Sequence, residues 1–243
     1  MSVEQAEHAN LIKPTLTVLD SATVERLHSY SLQILASTGV RVDSEGAIRL
    51  FGQALGSAAI DGNRVRIPSE IVDWAITAAP STIEVYDRLG HLAFRLPGET
   101  RFGIGVTALY YQEPATNRVT PFLRQHMESM VRLGSALSSF DVVSTIGIIH
   151  DVPPEVSDAY AALEMVANTV KPLVVLVSDE KAFPAVLDLL AYLSGDPAAT
   201  PEEGERRSDG LASKPFVLPY LNPISPLVIN GGTAAKMFAA IDR

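Results

Sequence analysis

His150 and Asp151 stand side by side where an apolar run, Val142 to Ile149, meets Val152-Pro153-Pro154. An imidazole beside a carboxylate is a candidate general base, and the carboxyl end of a buried strand is where barrel enzymes keep their chemistry. Asp151 reads equally as the cap of the helix that follows it. Ser178 and Asp179 end a second apolar run, Leu173 to Val177, and carry the same two readings, an N-cap for a helix from Glu180 or a substrate contact. Tyr110 and Tyr111 follow a glycine-rich segment, and Tyr220 lies in a third apolar run, Phe216 to Leu221. Aromatic faces attract quaternary ammonium groups by roughly 0.5–2 kcal/mol each, and they also serve plain packing. In Pro219-Tyr220-Leu221-Asn222-Pro223-Ile224-Ser225-Pro226-Leu227, three prolines fix the path of the backbone, from which Asn222 and Ser225 project. The stretch is either a stiff polar rim for a ligand or a structural brace.

Other chemistries find less support. Gly103-Ile104-Gly105-Val106-Thr107-Ala108 fits the GxGxxA dinucleotide pattern, but the LYYQEPATNR that follows has no helical stripe to carry a pyrophosphate on its amides. No GxSxG strand-turn-helix exposes a serine nucleophile, which disfavours a hydrolase. His150 has no second histidine or carboxylate at ligand spacing, which argues against a metal site, and the lack of cysteine removes thiolate chemistry. A net charge of -9 and a pI near 5.0 disfavour nucleic acid as a partner. No window approaches the ~20 apolar residues of a membrane span, and the first residues resemble neither a secretory nor a transit signal. A soluble, cytoplasmic protein is the expectation.

The elements that would position these residues follow from periodicity. Val24, Leu27, Ile34 and Leu35 share one helical face between Asp20, a capping residue, and Gly39, a stop signal. A second helix is predicted from Ser44 to Leu55, then a short strand over Arg64 to Ile67, then a helix capped by Ser69 with Ile71, Val72, Ala75, Ile76 and Ala79 inward. Ile83 to Tyr86 and His91 to Leu96 read as a hairpin turning at Arg88-Leu89-Gly90. Residues 1–100 are therefore expected to form an α+β region. From residue 101 to 243 short apolar strands alternate with amphipathic helices, the pattern of a parallel sheet covered by helices. The strands are a weaker one over Phe102 to Leu109 and the three apolar runs above. The helices are Pro121 to Leu137 with Thr120 as cap, Pro154 to Thr169, Glu180 to Leu193, and Thr233 onward. Asp196 to Ser213 reads as an exposed loop. The fold class is thus α/β, a partial TIM-type (β/α) barrel behind an α+β region, and four units fall short of the eight a barrel needs.

The order of these segments resembles the trimethylamine methyltransferase family, whose corrinoid-dependent members also include betaine methyltransferases. The resemblance runs from about Leu19 onward, through LASTGV, RVDSEGAIRLF, RVRIPSEIVDWAITAAP, QEPATNRVTPF, DVVSTIGIIHDVPPE, NTVKPLVVLVSD and LNPISPL. One departure is Leu123 and Arg124, where the family often has an acid soon after the threonine of VTPFL. The resemblance implies the amino-terminal half of a barrel that moves a methyl group from a methylated amine, trimethylamine or a betaine, to the corrinoid (cobalamin) of a separate partner protein. It implies no cofactor bound directly to this chain. It also implies Tyr110, Tyr111, His150, Asp151, Tyr220, Asn222 and Ser225 as substrate-binding residues at the barrel mouth, with catalytic residues unassigned. The alternative is a non-catalytic fragment that needs a second polypeptide or associates with itself as a homo-oligomer across the strand edge after Phe216 to Leu221.

Overall fold

Asp20 opens the first helix, α1 (Ser21–Ser37), by accepting the Thr23 amide at 2.7 Å, as a capping carboxylate should. The protein is described here by a computed structural model over residues 17–194 and 210–242. Gly39 ends the helix at φ 71°, its amide 3.0 Å from the Ile34 carbonyl. A Cβ at that position would meet the Val65 carbonyl at 2.5 Å, so both the left-handed backbone and the close approach require glycine.

The chain continues through β1 (Val40–Val42), α2 (Glu45–Leu55), a 3-10 turn, β2 (Ile60–Asp61), β3 (Arg64–Val65) and α3 (Ser69–Ala78). Val42 and Val65 are fully buried between this small sheet and the helices. Two expectations fail at α3, whose predicted inward stripe leaves Ala75, Ile76 and Ala79 exposed. Pro68, not Ser69, occupies the N-cap of α3, without a side-chain cap. The apolar face of α1 is also largely outward, with Val24, Leu27 and Ile34 about half exposed, while Leu35 alone of those four packs on the Val40–Val42–Val65 cluster. The reason is length. A 17-residue helix spans ~25 Å, whereas strands of two or three residues span ~10 Å or less and cover only its last turn.

The expected hairpin forms from β4 (Ile83–Tyr86) and β5 (Leu92–Leu96), turning through Gly90, with the Asp87 side chain accepting the His91 amide. Residues 102–109 do not make the continuous strand expected of them. They run alongside the next strand through isolated parallel bridges, Gly103 to Val142 and Ala108 to Gly147, with Thr107 between them at φ 59° breaking the ladder. A second hairpin of β6 (Tyr110–Gln112) and β7 (Val119–Pro121) follows. Thr120 and Pro121 therefore lie in a strand instead of capping a helix, and the helix, α4 (Arg124–Ala136), starts three residues later than expected. A strand, not a helix, follows Gly103 and Gly105, which removes the geometry that a dinucleotide site needs.

The parallel sheet has the order β10 (Val217–Pro219), β9 (Leu173–Val175), β8 (Val143–Ser144). It is covered by α4, α5 (Pro154–Asn168) and α6 (Phe183–Tyr192), whose Met127, Val131, Met165 and Leu190 are fully buried against it. The expected strands are present as shorter ladders continued by single hydrogen bonds, Thr145 N–H to the Val174 carbonyl at 3.0 Å and Tyr220 N–H to the Val175 carbonyl at 2.8 Å. Lys171 ties the end of α4 to β9 by donating to the Gly134, Leu137 and Phe140 carbonyls at 2.8–2.9 Å. Most of the expected loop, residues 196–209, lies outside the described residues, and Gly210–Ser213 forms a short helix, α7.

The proline-rich exit from β10 leads to β11 (Val228–Ile229), which pairs in parallel with β1 and completes the order β11-β1-β3-β2. Asn230 then caps α8 (Gly231–Ile241), which begins two residues before the expected Thr233. The architecture is mixed α/β, and among the described residues the parallel strands do not close on themselves. No helix among them is long and apolar enough to cross a membrane.

Gly147 is as tightly enclosed as Gly39, because a Cβ there would meet the Phe122 ring at 2.5–2.7 Å. Gly147→Ala is expected to lower stability by about 1–3 kcal/mol. Adding Phe122→Leu should cost less than the sum of the single changes, which chemical denaturation of the three variants would measure.

Candidate functional site

Parallel register decides where the polar residues gather. Val143, Leu173 and Val217 are aligned across β8, β9 and β10, so the segments that leave these strands emerge at one end of the sheet. The β6–β7 hairpin is held at the same end. Phe122 N–H donates to the Leu109 carbonyl at 3.0 Å, its own carbonyl accepts His150 N–H at 2.9 Å, and its ring rests on Gly147. Tyr110 and Tyr111 lie in the β6–β7 hairpin, His150 and Asp151 follow β8, and Tyr220, Asn222 and Ser225 follow β10.

Their individual settings differ. His150 is exposed, with Nδ1 at 3.3 Å from the Phe122 carbonyl. Asp151 is not its hydrogen-bond partner. Its Oδ1 accepts the Arg124 amide at 2.9 Å and so caps α4, an earlier helix than the one the sequence suggested. Arg124 in turn donates to the buried Glu164 and lies over the Tyr160 ring, contacts that reinforce its charged form. Tyr111 is half buried and stacks on His126 at 4.0 Å between ring centres, so one of its faces is already taken. Tyr110 and Tyr220 remain exposed. Asn222 leaves its side chain in solvent while its carbonyl accepts the Thr233 hydroxyl at 3.3 Å. Ser225 sits in a tight return where Ile224 and Val228 exchange backbone hydrogen bonds of 2.7 and 2.9 Å.

Where the chain leaves β8 and β9 lies a cavity of about 600 Å3 between the start of α5 and the segment after β9, lined by Ile148, Pro154, Glu155, Ser157, Asp158, Ser178, Asp179 and Glu180 and by none of the seven residues predicted from the sequence. Asp158 is its buried carboxylate. One carboxylate oxygen, Oδ2, accepts both the Ser178 and Asp179 amides, at 2.9 and 3.3 Å. Ser178 and Asp179 thus present backbone to Asp158, and the helix beyond them starts at Phe183, later than the expected Glu180. Burial pushes the Asp158 carboxyl above its ordinary value. The two amides oppose that, the neighbouring Asp179 carboxylate adds to it and Lys236 lowers it. Lys236, on α8, donates to the Val177 carbonyl at 3.0 Å. The Glu180 carboxylate lies over the start of α8, 3.1 Å from where a Gly232 Cβ would be.

Four carboxyl groups around one cavity set up a negative potential suited to a cation. Among the described residues no group of three or more histidine, aspartate or glutamate side chains is placed to hold a metal ion. Sequence reasoning passed over Asp158 and Glu164. The signal for Asp158 was present, since it stands three, four and seven residues before Ala161, Ala162 and Met165 on the buried stripe of α5.

A helix-covered parallel sheet whose polar and aromatic side chains collect at the strand ends defines an α/β protein of the repeating strand-helix type. Residues 2–243 match the family model described as Trimethylamine methyltransferase (MTTB), and the chain belongs to that family. It is 28% identical over 209 residues to the trimethylamine methyltransferase MttB of Desulfitobacterium hafniense (strain DSM 10664 / DCB-2), which covers 84% of this chain and 39% of that protein. It is 34% identical over 67 residues to the proline betaine:corrinoid methyltransferase of Eubacterium limosum, 28% of this chain and 13% of that one. The matched region thus spans less than half the length of either relative.

Asp158→Ala removes the acceptor for two amides and is expected to cost about 1–3 kcal/mol, whereas Asp158→Asn keeps an acceptor oxygen and should cost less. The folded Asp158 holds its proton more tightly than the unfolded chain does. Its contribution to stability is therefore present at low pH and lost as pH rises from the ordinary carboxylate value through the raised folded one. Denaturation of wild type and Asp158→Asn across that window should show this component in the first and not in the second.

Proposed function

We propose that this chain contributes the first strand-helix units of a (β/α) barrel methyltransferase that takes a methyl group from trimethylamine or a betaine and delivers it to a corrinoid carried by a partner protein. The observation that carries the reading is the joining of a family match across residues 2–243 to a rim with an acidic cavity and open tyrosine faces. In this reading residues 1–100 are the α+β region, residues 101–243 carry the barrel units, and the protein works in the cytoplasm. The 39% coverage of the Desulfitobacterium relative supports a reaction that also needs strands beyond these.

The residues here would act by binding and orientation. Glu155, Asp158, Asp179 and Glu180 draw the ammonium group toward the strand ends, and Tyr110 and Tyr220 offer π faces to its methyls. Asn222 and Ser225 can fix a betaine carboxylate or the amide side chains at the edge of a corrin ring, and exposed His150 is available to the same edge. The reduced corrinoid, when docked, supplies the electron pair that accepts the methyl. The carbon–nitrogen bond breaks, and its electrons stay on the leaving amine. Holding the methyl in line is what the chain contributes, and such positioning accounts for a large share of rate in reactions of this kind.

Methyl transfer from trimethylamine, glycine betaine and proline betaine to a reduced corrinoid protein tests the proposal. The chain alone should give no turnover, and the chain joined to the remaining length of the Desulfitobacterium relative should turn over at least one of the three. In the joined protein Tyr220→Ala should raise KM roughly 2- to 30-fold. Absence of turnover from the joined protein with all three donors would overturn the proposal.

A further inference from the structure

Two apolar features, one on α1 and one between α2, α3 and α8, are left largely uncovered by the described residues. One is the face of α1, where Val24, Leu27, Tyr30 and Ile34 are between 46% and 58% exposed and fall within about a third of the helix circumference. The other is a groove of about 500 Å3 between α2, α3 and α8, lined entirely by apolar side chains, among them Leu50, Phe51, Trp74, Met237 and Ile241. Leu50, Trp74 and Ile241 are 53%, 66% and 79% exposed there. A soluble chain rarely leaves a contiguous apolar patch of this kind uncovered unless it is an interaction site.

We infer that the groove receives α1 of a second copy of this chain, and that the exchange is reciprocal. Each feature supplies what the other lacks, since a helix with apolar residues at spacings of three and four is the object that a three-helix groove accepts. Both occur on the same molecule, so one two-fold axis satisfies both at once, which an isologous dimer requires. Area also fits. Seven half-exposed large apolar side chains offer on the order of 100 Å2 each, or about 1,400 Å2 for a pair of copies, within the roughly 1,200–2,000 Å2 of a stable interface. The contact is independent of the methyl-transfer proposal, since none of the residues that line the groove lines the acidic cavity.

The single tryptophan of the chain, Trp74, reports directly on the groove. Sedimentation velocity across a concentration series, with tryptophan emission read on the same samples, tests the inference. A species of twice the 26.1 kDa chain mass should appear with rising concentration, with emission shifting to the blue as it does. It should persist or tighten with added salt, because each copy carries a net charge of -9. Leu27→Glu in the helix face and Leu50→Glu in the groove alter half-exposed side chains, so circular dichroism should be unchanged while each weakens association at least tenfold. An equimolar mixture of the two variants should recover association, since a mixed pair keeps one intact helix-groove contact. A chain that stays monomeric at all concentrations overturns the inference, as does buried tryptophan emission in the monomer, which would mean that the chain fills its own groove. Association indifferent to both variants, as pairing at the β10 edge would be, also overturns it, and failure of the mixture overturns the exchanged arrangement.

Discussion

Leu173 lies between Val143 and Val217 in a parallel row, 1% exposed, and the rest of the site depends on that alignment. Because side chains alternate along a strand, a slip of one residue in β9 would turn Leu173 and Val175 out of the core and bring Val174 in. It would also move Ser178 and Asp179 away from the Asp158 carboxylate that accepts their amides. The buried row is thus what lets a carboxyl group on a helix and two amides on a loop meet at the strand ends. Phe122 does the same for the other side of the rim, joining Leu109 and His150 through backbone hydrogen bonds while its ring lies on Gly147.

Electrostatics and packing pull against each other at this end of the sheet. Burial disfavours the charged form of Asp158, and the negative neighbours Asp179 and Glu180 sit at the same cavity. Such an arrangement contributes little to folding by itself. Its stability comes from the large core behind it, where Met127, Val131, Met165 and Leu190 are fully buried. The amino-terminal region is built the other way, with a core of three valines and much apolar helix surface outside it.

The sequence made legible those features that local chemistry determines. Asp20 caps α1, Pro154 opens α5, the turn at Gly90 closes its hairpin, and the three apolar runs become β8, β9 and β10. The resemblance read from the ordered segments is matched by the family assignment. Features that depend on distant partners were not legible. Nothing local to Val228 and Ile229 announces that they pair with Arg41 and Val42, far away in the chain. Thr120-Pro121 carries a good helix-start signal, and it lost to pairing with Tyr110 and Tyr111 across the hairpin. Periodicity correctly marked one apolar face on α1 but could not say that the sheet beneath it was too short to cover it. At the rim, Asp151 next to His150 suggested a pair, whereas the fold gave the carboxylate to the Arg124 amide.

The proposed function places a methylated ammonium group at the ends of β8, β9 and β10. Hydrogen–deuterium exchange of this chain with and without glycine betaine measures it by position. The expected result is slowed exchange at residues 110–111, 148–151, 178–180 and 220–225, with the surroundings of Trp74 unchanged. Protection confined to other segments, or none at saturating ligand, would rule out binding of the ammonium group at these strand ends.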